Sequence, residues 1–458
     1  MHRKEIQLRE DQVNEQGQII DEKILKKDRL KFGICTILDR SEGSSLGGIP
    51  MILIRSLGGD SFHIGMYYAL QNLTSFSQFV GPLILQRTKS NQKAMIISMF
   101  VGAVIAGLVA LSIFTAAYFP IGSIALWSYL ILWGAFSAVS GIQGNIESAW
   151  VGDLVPRNKL GWFNGYKWIL TSLGIMVFGL IIGTVADRWP THNTYAFMYV
   201  AFGVSFLWAA YIFWTATNRT PKNVTFIKGE KGTDERMNYT HGPMWCYILF
   251  FWGWSGSRAA LIAFAPLYLI DVFKFSMTNI AWLSNLQLIT GMILLYFLGK
   301  ISDRIGSRVP LIVISGIVAI CGSLWVSSAW WGVVPIIIYQ VVNGAAGNAH
   351  GMVSTNLALE IFPQRGRASY IAFSRLCIGA VTMVVPALTG ILLTVCKDVK
   401  FQVGETILNN YHMLFTICML ISISSIIPLF VLGRITKKQQ TNIESQLVVA
   451  DASCNRSS

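Results

Sequence analysis

Charged residues are scarce in this chain. Asp, Glu, Lys and Arg make up 13% of its 458 residues, against about 25% in soluble globular proteins. So few charges cannot cover a globule of this length, which excludes water as its main solvent. Other absences narrow the chemistry. No Gly-x-x-x-x-Gly-Lys-Ser/Thr string is present to cradle a nucleotide phosphate, and there is no zinc motif or nucleophile elbow. No catalysis, cofactor or metal is therefore expected. The cysteines Cys35, Cys246, Cys321, Cys377, Cys396, Cys418 and Cys454 form no Cys-x-x-Cys pair and read as small packing residues. Residues 1–29 are dense in charge and lack the apolar stretch of a secretory leader, so they read as a soluble, poorly ordered arm.

What is abundant is apolar surface: 53% of the residues are hydrophobic. Runs of roughly 20 such residues match a helix crossing a hydrocarbon core of ~30 Å. Twelve are counted, over 30–55, 62–86, 94–118, 121–150, 163–186, 195–217, 244–272, 278–299, 309–328, 332–359, 368–395 and 409–433. The fold class expected is an all-α membrane protein.

The net charge of +13 would suit a nucleic-acid partner, but its distribution rejects that. Of 36 Lys and Arg, 27 fall in the termini and the even-numbered loops. Arg55, Arg188, Lys274, Lys397 and Lys400 are the five in odd-numbered loops, and four lie within spans. Cytoplasmic loops collect Lys and Arg, so both termini are expected inside the cell.

A weak repeat runs through the chain. Pro50 matches Pro266 and Gln71 matches Gln287, both at an offset of 216 residues. Arg87 matches Arg304, and Asp153-Leu-Val-Pro156 matches Glu360-Ile-Phe-Pro363, with Lys167 and Arg375 following at similar distances. The common order argues for two six-helix halves, 30–217 and 242–433, joined by a polar linker at 218–241 and followed by a tail at 434–458.

One string separates the runs at 278–299 and 309–328: Gly299-Lys-Ile-Ser-Asp303-Arg304-Ile-Gly306-Ser-Arg308. It resembles the loop between the second and third helices of each half of the major facilitator superfamily, a class of secondary transporters. The first-half copy, Gln86-Arg87-Thr88-Lys89, departs from that pattern, with Gln where the acid belongs and Lys where Gly belongs. The resemblance extends over residues 30–433. It implies two six-helix bundles that alternate access to a central site.

Charges decide the candidate residues. Asp303, Arg304, Arg308 and Glu360 in the second half, with Arg87 and Asp153 in the first, are candidate gate residues; the alternative is that they only enforce topology. Within the spans, a charge costs several kcal/mol or more and usually lines a cavity. Asp39 and Glu42 lie three apart on one helical face, with Arg40 between them, and Glu147 lies in the fourth run. These three carboxylates are the candidate proton carriers. Arg258 occupies the position matched to Glu42, with Trp254 one turn before it. Gln71, Gln143, Asn145, Gln287, Asn348 and His350 supply uncharged hydrogen-bonding groups, and with Arg258 and Trp254 they form the candidate solute site. The same amides also serve as glue between helices. Lys167 and Arg375 stay open between contact with an anionic solute and snorkelling to the headgroups, and Arg40 between neutralising Asp39 or Glu42 and a static cluster with them.

The expectation is a monomeric plasma-membrane transporter of a small polar solute, with a coupling proton or cation and lipid as its other partners. A sugar or glycoside comes first as cargo, on Trp with Asn and Gln; an organic anion such as a sugar acid comes second, on Arg258. A drug exporter and a non-transporting membrane sensor are the remaining alternatives.

Overall fold

The computed structural model describes residues 18–19, 21–45, 48–78, 80–88, 90–119, 122–156, 159–217, 239–305, 307–362 and 367–435. Within these, the side chains of 39–45, 122, 160–161, 294–305, 348–349, 352, 359 and 367–369 lie outside the description. The elements in order are α1 (Glu22–Ser45), α2 (Ile49–Ser56), α3 (Ser61–Gln71), α4 (Leu73–Ser77), α5 (Val80–Thr88), α6 (Asn91–Tyr118), α7 (Gly122–Leu154), α8 (Leu160–Arg188) and α9 (His192–Thr215). There follow α10 (Gly242–Asp271), α11 (Met277–Ile305), α12 (Arg308–Cys321), α13 (Ser323–Trp331), α14 (Val334–Ile361), α15 (Arg367–Val395), β1 (Lys400–Val403), β2 (Thr406–Asn409) and α16 (Asn410–Ser424). The all-α class holds. Eight helices among the described residues are long and apolar enough to cross a membrane.

Several expected runs are broken, each for a local reason. The first is interrupted between α1 and α2, where Gly48 caps a helix whose first turn holds Pro50, a residue without an N–H to donate. The second is divided into α3, α4 and α5. There Asn72 Nδ2 donates to Tyr68 O (2.9 Å), Thr74 Oγ1 to Gln71 O (3.1 Å) and Ser77 Oγ to Thr74 O (3.2 Å). Such side-chain bonds compete with the helical ladder. Gln71 therefore ends a short helix and does not lie on one continuous second span. The charged string at 299–308 is less of a turn than expected, since α11 stays helical through Ile305.

The N-terminal arm also differs from expectation. Helix α1 starts at Glu22, and Ile19 is fully buried, its N–H bonded to Leu154 O at 3.0 Å. Gln18 Nε2 donates to Gly152 O, and Thr217 N–H to the buried Asp28 at 3.4 Å. Apolar Ile19 and Leu25 among the charges supply the burial that fixes this stretch.

The chain divides into two compact units. One holds residues up to Gly232 together with Ile262–Leu288 and Pro386–Lys397; the other holds Thr233–Leu261, Ile289–Val385 and the residues from Asp398. In the first unit α6 packs along α9 and α7, and α1 along α8 and α9. Phe32, Trp150, Phe163 and Phe213 form an edge-to-face aromatic core there. In the second, α12 and α13 pack on α14 and α16 around Phe250, Trp254, Leu311, Val353 and Leu429.

Candidate functional site

The first unit contains an ion pair nearly closed to solvent. Lys167 Nζ of α8 lies 3.0 Å from Glu147 Oε1 of α7, with side-chain exposures of 14% and 2%. Thr36 of α1 joins them: its hydroxyl lies 3.3 Å from Glu147 Oε1 and 2.7 Å from Phe32 O. A hydroxyl has one proton and two lone pairs, so Thr36 can donate to Phe32 while accepting from a protonated Glu147. Gln143, one turn earlier, faces another way. Its Nε2 donates to Ser98 O at 3.0 Å, which places it as glue between α7 and α6. Asn145 lies against Gly81, where a β-carbon would meet its Oδ1 at 2.5 Å.

The second unit contains a guanidinium among aromatic rings. Arg258 Nη1 donates to Asn343 Oδ1 of α14 at 2.5 Å, and its carbon lies 5.9 Å from the Trp254 ring centroid. No carboxylate pairs with Arg258 among the described residues. Trp254 is 3% exposed and stacks on His350, with centroids 4.6 Å apart and planes at 15°. Phe250 and Phe251 close around the same imidazole, whose Nε2 is buried without a partner. Local sequence positions this cluster. Gly253 and Gly256 let α16 and α15 approach α10 closely, and Ser257 Oγ bonds Ser422 Oγ at 2.6 Å. Pro266 withholds one N–H from the α10 ladder two turns beyond Arg258.

Two of the candidate gate carboxylates accept from polar side chains. Asp153 accepts from Asn91 Nδ2 at 2.7 Å, while Arg87 is exposed and unpaired with it. Glu360 accepts from Ser307 Oγ at 2.6 Å, while the Arg308 guanidinium lies against Gly433. The two carboxylates are thus held alike. Each takes a polar side chain three or four residues beyond the matched arginine, Arg87 or Arg304. Among the other sequence candidates, Gln71 and Gln287 are half-buried and Arg375 is exposed. The side chains of Asp39, Arg40, Glu42, Asp303, Arg304 and Asn348 lie outside the described residues.

A third cluster was not read from the sequence. Within the first unit, Arg55 binds Asp271 through two bonds of 2.5 and 2.8 Å. Asp187 of α8 caps the start of α11: it accepts from Met277 N–H at 2.7 Å, Thr278 N–H at 2.9 Å and the Thr278 hydroxyl at 2.6 Å. A carboxylate at a helix N-terminus satisfies orphan donors and meets the positive end of the helix dipole. Close backbone approach accompanies these bonds. Gly65 abuts Pro386 O and Gly390 abuts Ser61 O, leaving no room for a β-carbon at either. Arg55, Asp187, Asp271, Met277 and Thr278 fall at helix ends beside loops that the Lys/Arg bias would put outside. The pairings of this cluster span 90 to 329 residues of chain, and no local signal announces them.

No curated protein matches this sequence. Among solved structures it is similar in fold to a mutant of the nucleoside transporter NupG, at 13% identity and TM-score 0.65, covering 88% of this chain and 99% of that one. It is also similar to a bacterial homologue of the iron transporter ferroportin in its inward-facing state, at 14% identity and TM-score 0.66, covering 89% and 99%. A D-xylose–proton symporter gives 14% identity and TM-score 0.64, covering 89% and 95%. At such identities the likeness is one of fold. The family model of the Major Facilitator Superfamily matches residues 34–339 and 280–453. With its long apolar helices, this chain belongs to the Major Facilitator Superfamily and is a multi-pass membrane transporter.

Proposed function

We propose that the chain carries a small polyhydroxylated anion, of the sugar-acid class, across the plasma membrane by alternating access, coupled to protons, with both termini in the cytoplasm. The observation that carries this is Arg258: a guanidinium at membrane depth, held by an amide and flanked by aromatics, with no carboxylate beside it among the described residues. Such a charge costs several kcal/mol or more in a membrane. An anionic solute supplies the missing partner, and a planar carboxylate matches the guanidinium edge.

The neutral-sugar reading loses its main support. It needs an open indole face, and the Trp254 ring is stacked on His350 and closed to solvent. Coupling is assigned first to Glu147, whose charge is held by Lys167, with Asp39 and Glu42 as further candidates from sequence. A proton on Glu147 frees Lys167, so protonation and the charge of the site change together. The Arg55–Asp271 pair and the Asp187 cap serve as the outer gate, and the bonds of Asp153 and Glu360 as parts of the inner one.

Proteoliposomes with an acid exterior provide the test. Uptake of sugar acids such as glucuronate is expected to exceed that of the matching neutral sugars, to be lost in Arg258→Gln and to persist in part in Arg258→Lys. Accumulation of neutral sugars that Arg258→Gln leaves intact would refute the anion assignment.

A further inference from the structure

The first turns of α1 and α8 run side by side in the first unit and form a seam with a charge pattern that transport does not use. Glu22, Lys26 and Arg29 fall at i, i+4 and i+7 on one face of α1. Lys159, the residue before α8, and Trp162 and Tyr166 in its first turns fall at i, i+3 and i+7 on one face. Glu22 sits between Lys26 at 3.7 Å and Lys159 at 3.6 Å. With Arg29, the seam holds three cations against one carboxylate.

Arg29 is placed differently from the two lysines. Its guanidinium carbon lies 3.5 Å from the Trp162 ring centroid and 4.1 Å from that of Tyr166. Among the described residues it makes no hydrogen bond or ion pair, and its Nε is buried without a partner. Stacking explains where the guanidinium lies but not what its N–H groups bind. The rings engage its face and leave the donors pointing outward in its plane, as a fork suited to phosphate or carboxylate oxygens.

The surroundings indicate which anion reaches that edge. Trp162 is 43% exposed, and the same face of α8 continues from Tyr166 through Ile169, Leu173 and Val177, all exposed and apolar. A headgroup at the polar end of this stripe would lay its acyl chain along the rest. Exposed Trp with Lys and Arg at a helix start is also what the membrane interface selects.

We propose that Arg29, Trp162 and Tyr166, flanked by Lys26 and Lys159, bind the phosphate of a membrane phospholipid and tie the ends of α1 and α8 together through it. A free phosphate offers the same oxygens but gains nothing from the apolar stripe, which separates the two sources.

Thermal-shift titrations of the full chain in a neutral detergent test the site. Dihexanoyl-phosphatidylglycerol is expected to raise Tm, with its midpoint concentration about tenfold higher in Arg29→Gln, the loss of one charge-assisted hydrogen bond. Arg29→Lys should fall between, Trp162→Leu should weaken binding, and Lys93→Gln, which removes an exposed cation elsewhere, should match wild type. Inorganic phosphate should give no shift. A phosphate shift equal to that of the lipid and lost in Arg29→Gln would overturn the lipid assignment. Equal lipid midpoints in wild type and Arg29→Gln would overturn the site. If Arg29→Gln does not fold, the same comparison with Trp162→Leu decides, and an unchanged midpoint there overturns the proposal.

Discussion

Replacing Glu147 by Gln removes one charge from a pair 3.0 Å apart. At that distance and an effective dielectric of about 20, the attraction is roughly 5 kcal/mol, much of it offset by desolvation of both ions. Removing one partner costs more than losing the pair, because the other charge is left buried alone. The expected destabilisation is about 3–5 kcal/mol for Glu147→Gln, and similar for Lys167→Met. The double variant leaves neither charge and should recover most of that loss, giving a coupling energy of about 3 kcal/mol. Thermal unfolding in detergent reads this out as a fall on the order of 5 °C for each single variant, and a smaller fall for the double. Transport is measured separately. Glu147→Gln should abolish accumulation against a gradient and keep counterflow exchange. A double variant as unstable as the worse single would refute the pairing energetics, and full accumulation by Glu147→Gln would refute its part in coupling.

Other expectations concern the ends of the helices. The Arg55–Asp271 pair, with exposures of 40% and 27%, should show a coupling of only about 0.2–1 kcal/mol in a double-mutant cycle with Arg55→Ala and Asp271→Ala. A value several times larger would mean that water is excluded there. His241 accepts from Met244 N–H at 3.3 Å, and burial holds its imidazole pKa below 6.5. Its neutral form stabilises the fold fully above that value, and the contribution declines as pH falls through it and on to the lower folded pKa. Wild type should therefore lose more Tm than His241→Asn between neutral and mildly acidic pH, and parallel curves would sink the assignment. In a cysteine-free background, a cysteine placed at Thr191 should react with impermeant reagents from outside and one at Thr233 should not; the opposite pattern would reverse the proposed orientation.

Among the described residues, eight of the twelve expected runs appear as helices long and apolar enough to cross; they were legible because lipid imposes a length and a composition on a crossing helix. The break in the second span was harder to see, since Asn72, Thr74 and Ser77 look like ordinary polar residues until their side chains turn back on the backbone. The hairpin at 400–409 hid in a loop too short to carry a pattern of its own. Sequence marked Glu147 and Lys167, each as a charge within an apolar run. It could not find Asn343 as the partner of Arg258, or Asp187 as the cap of α11. Those pairings are made by tertiary packing between distant segments, which periodicity does not encode. Four described histidines illustrate the same limit. His63, His192, His241 and His412 stand at helix starts, and His63 and His412 complete capping boxes with Asp60 and Asn409. Only the fold shows that they are punctuation and that His350 is not.

The small antiparallel hairpin between α15 and α16 has a practical use. Lys400 faces Asn409 and Val403 faces Thr406 across a turn in which Gly404 adopts φ +63°, a conformation that other residues resist. Its second strand leans on α13 and α16, so it is held in a fixed pose while its tip carries no candidate site residue. A short epitope grafted between Gly404 and Glu405 would leave the register intact and stand clear of the detergent belt. An antibody fragment bound there would give this transporter the rigid handle that particle alignment in electron microscopy requires.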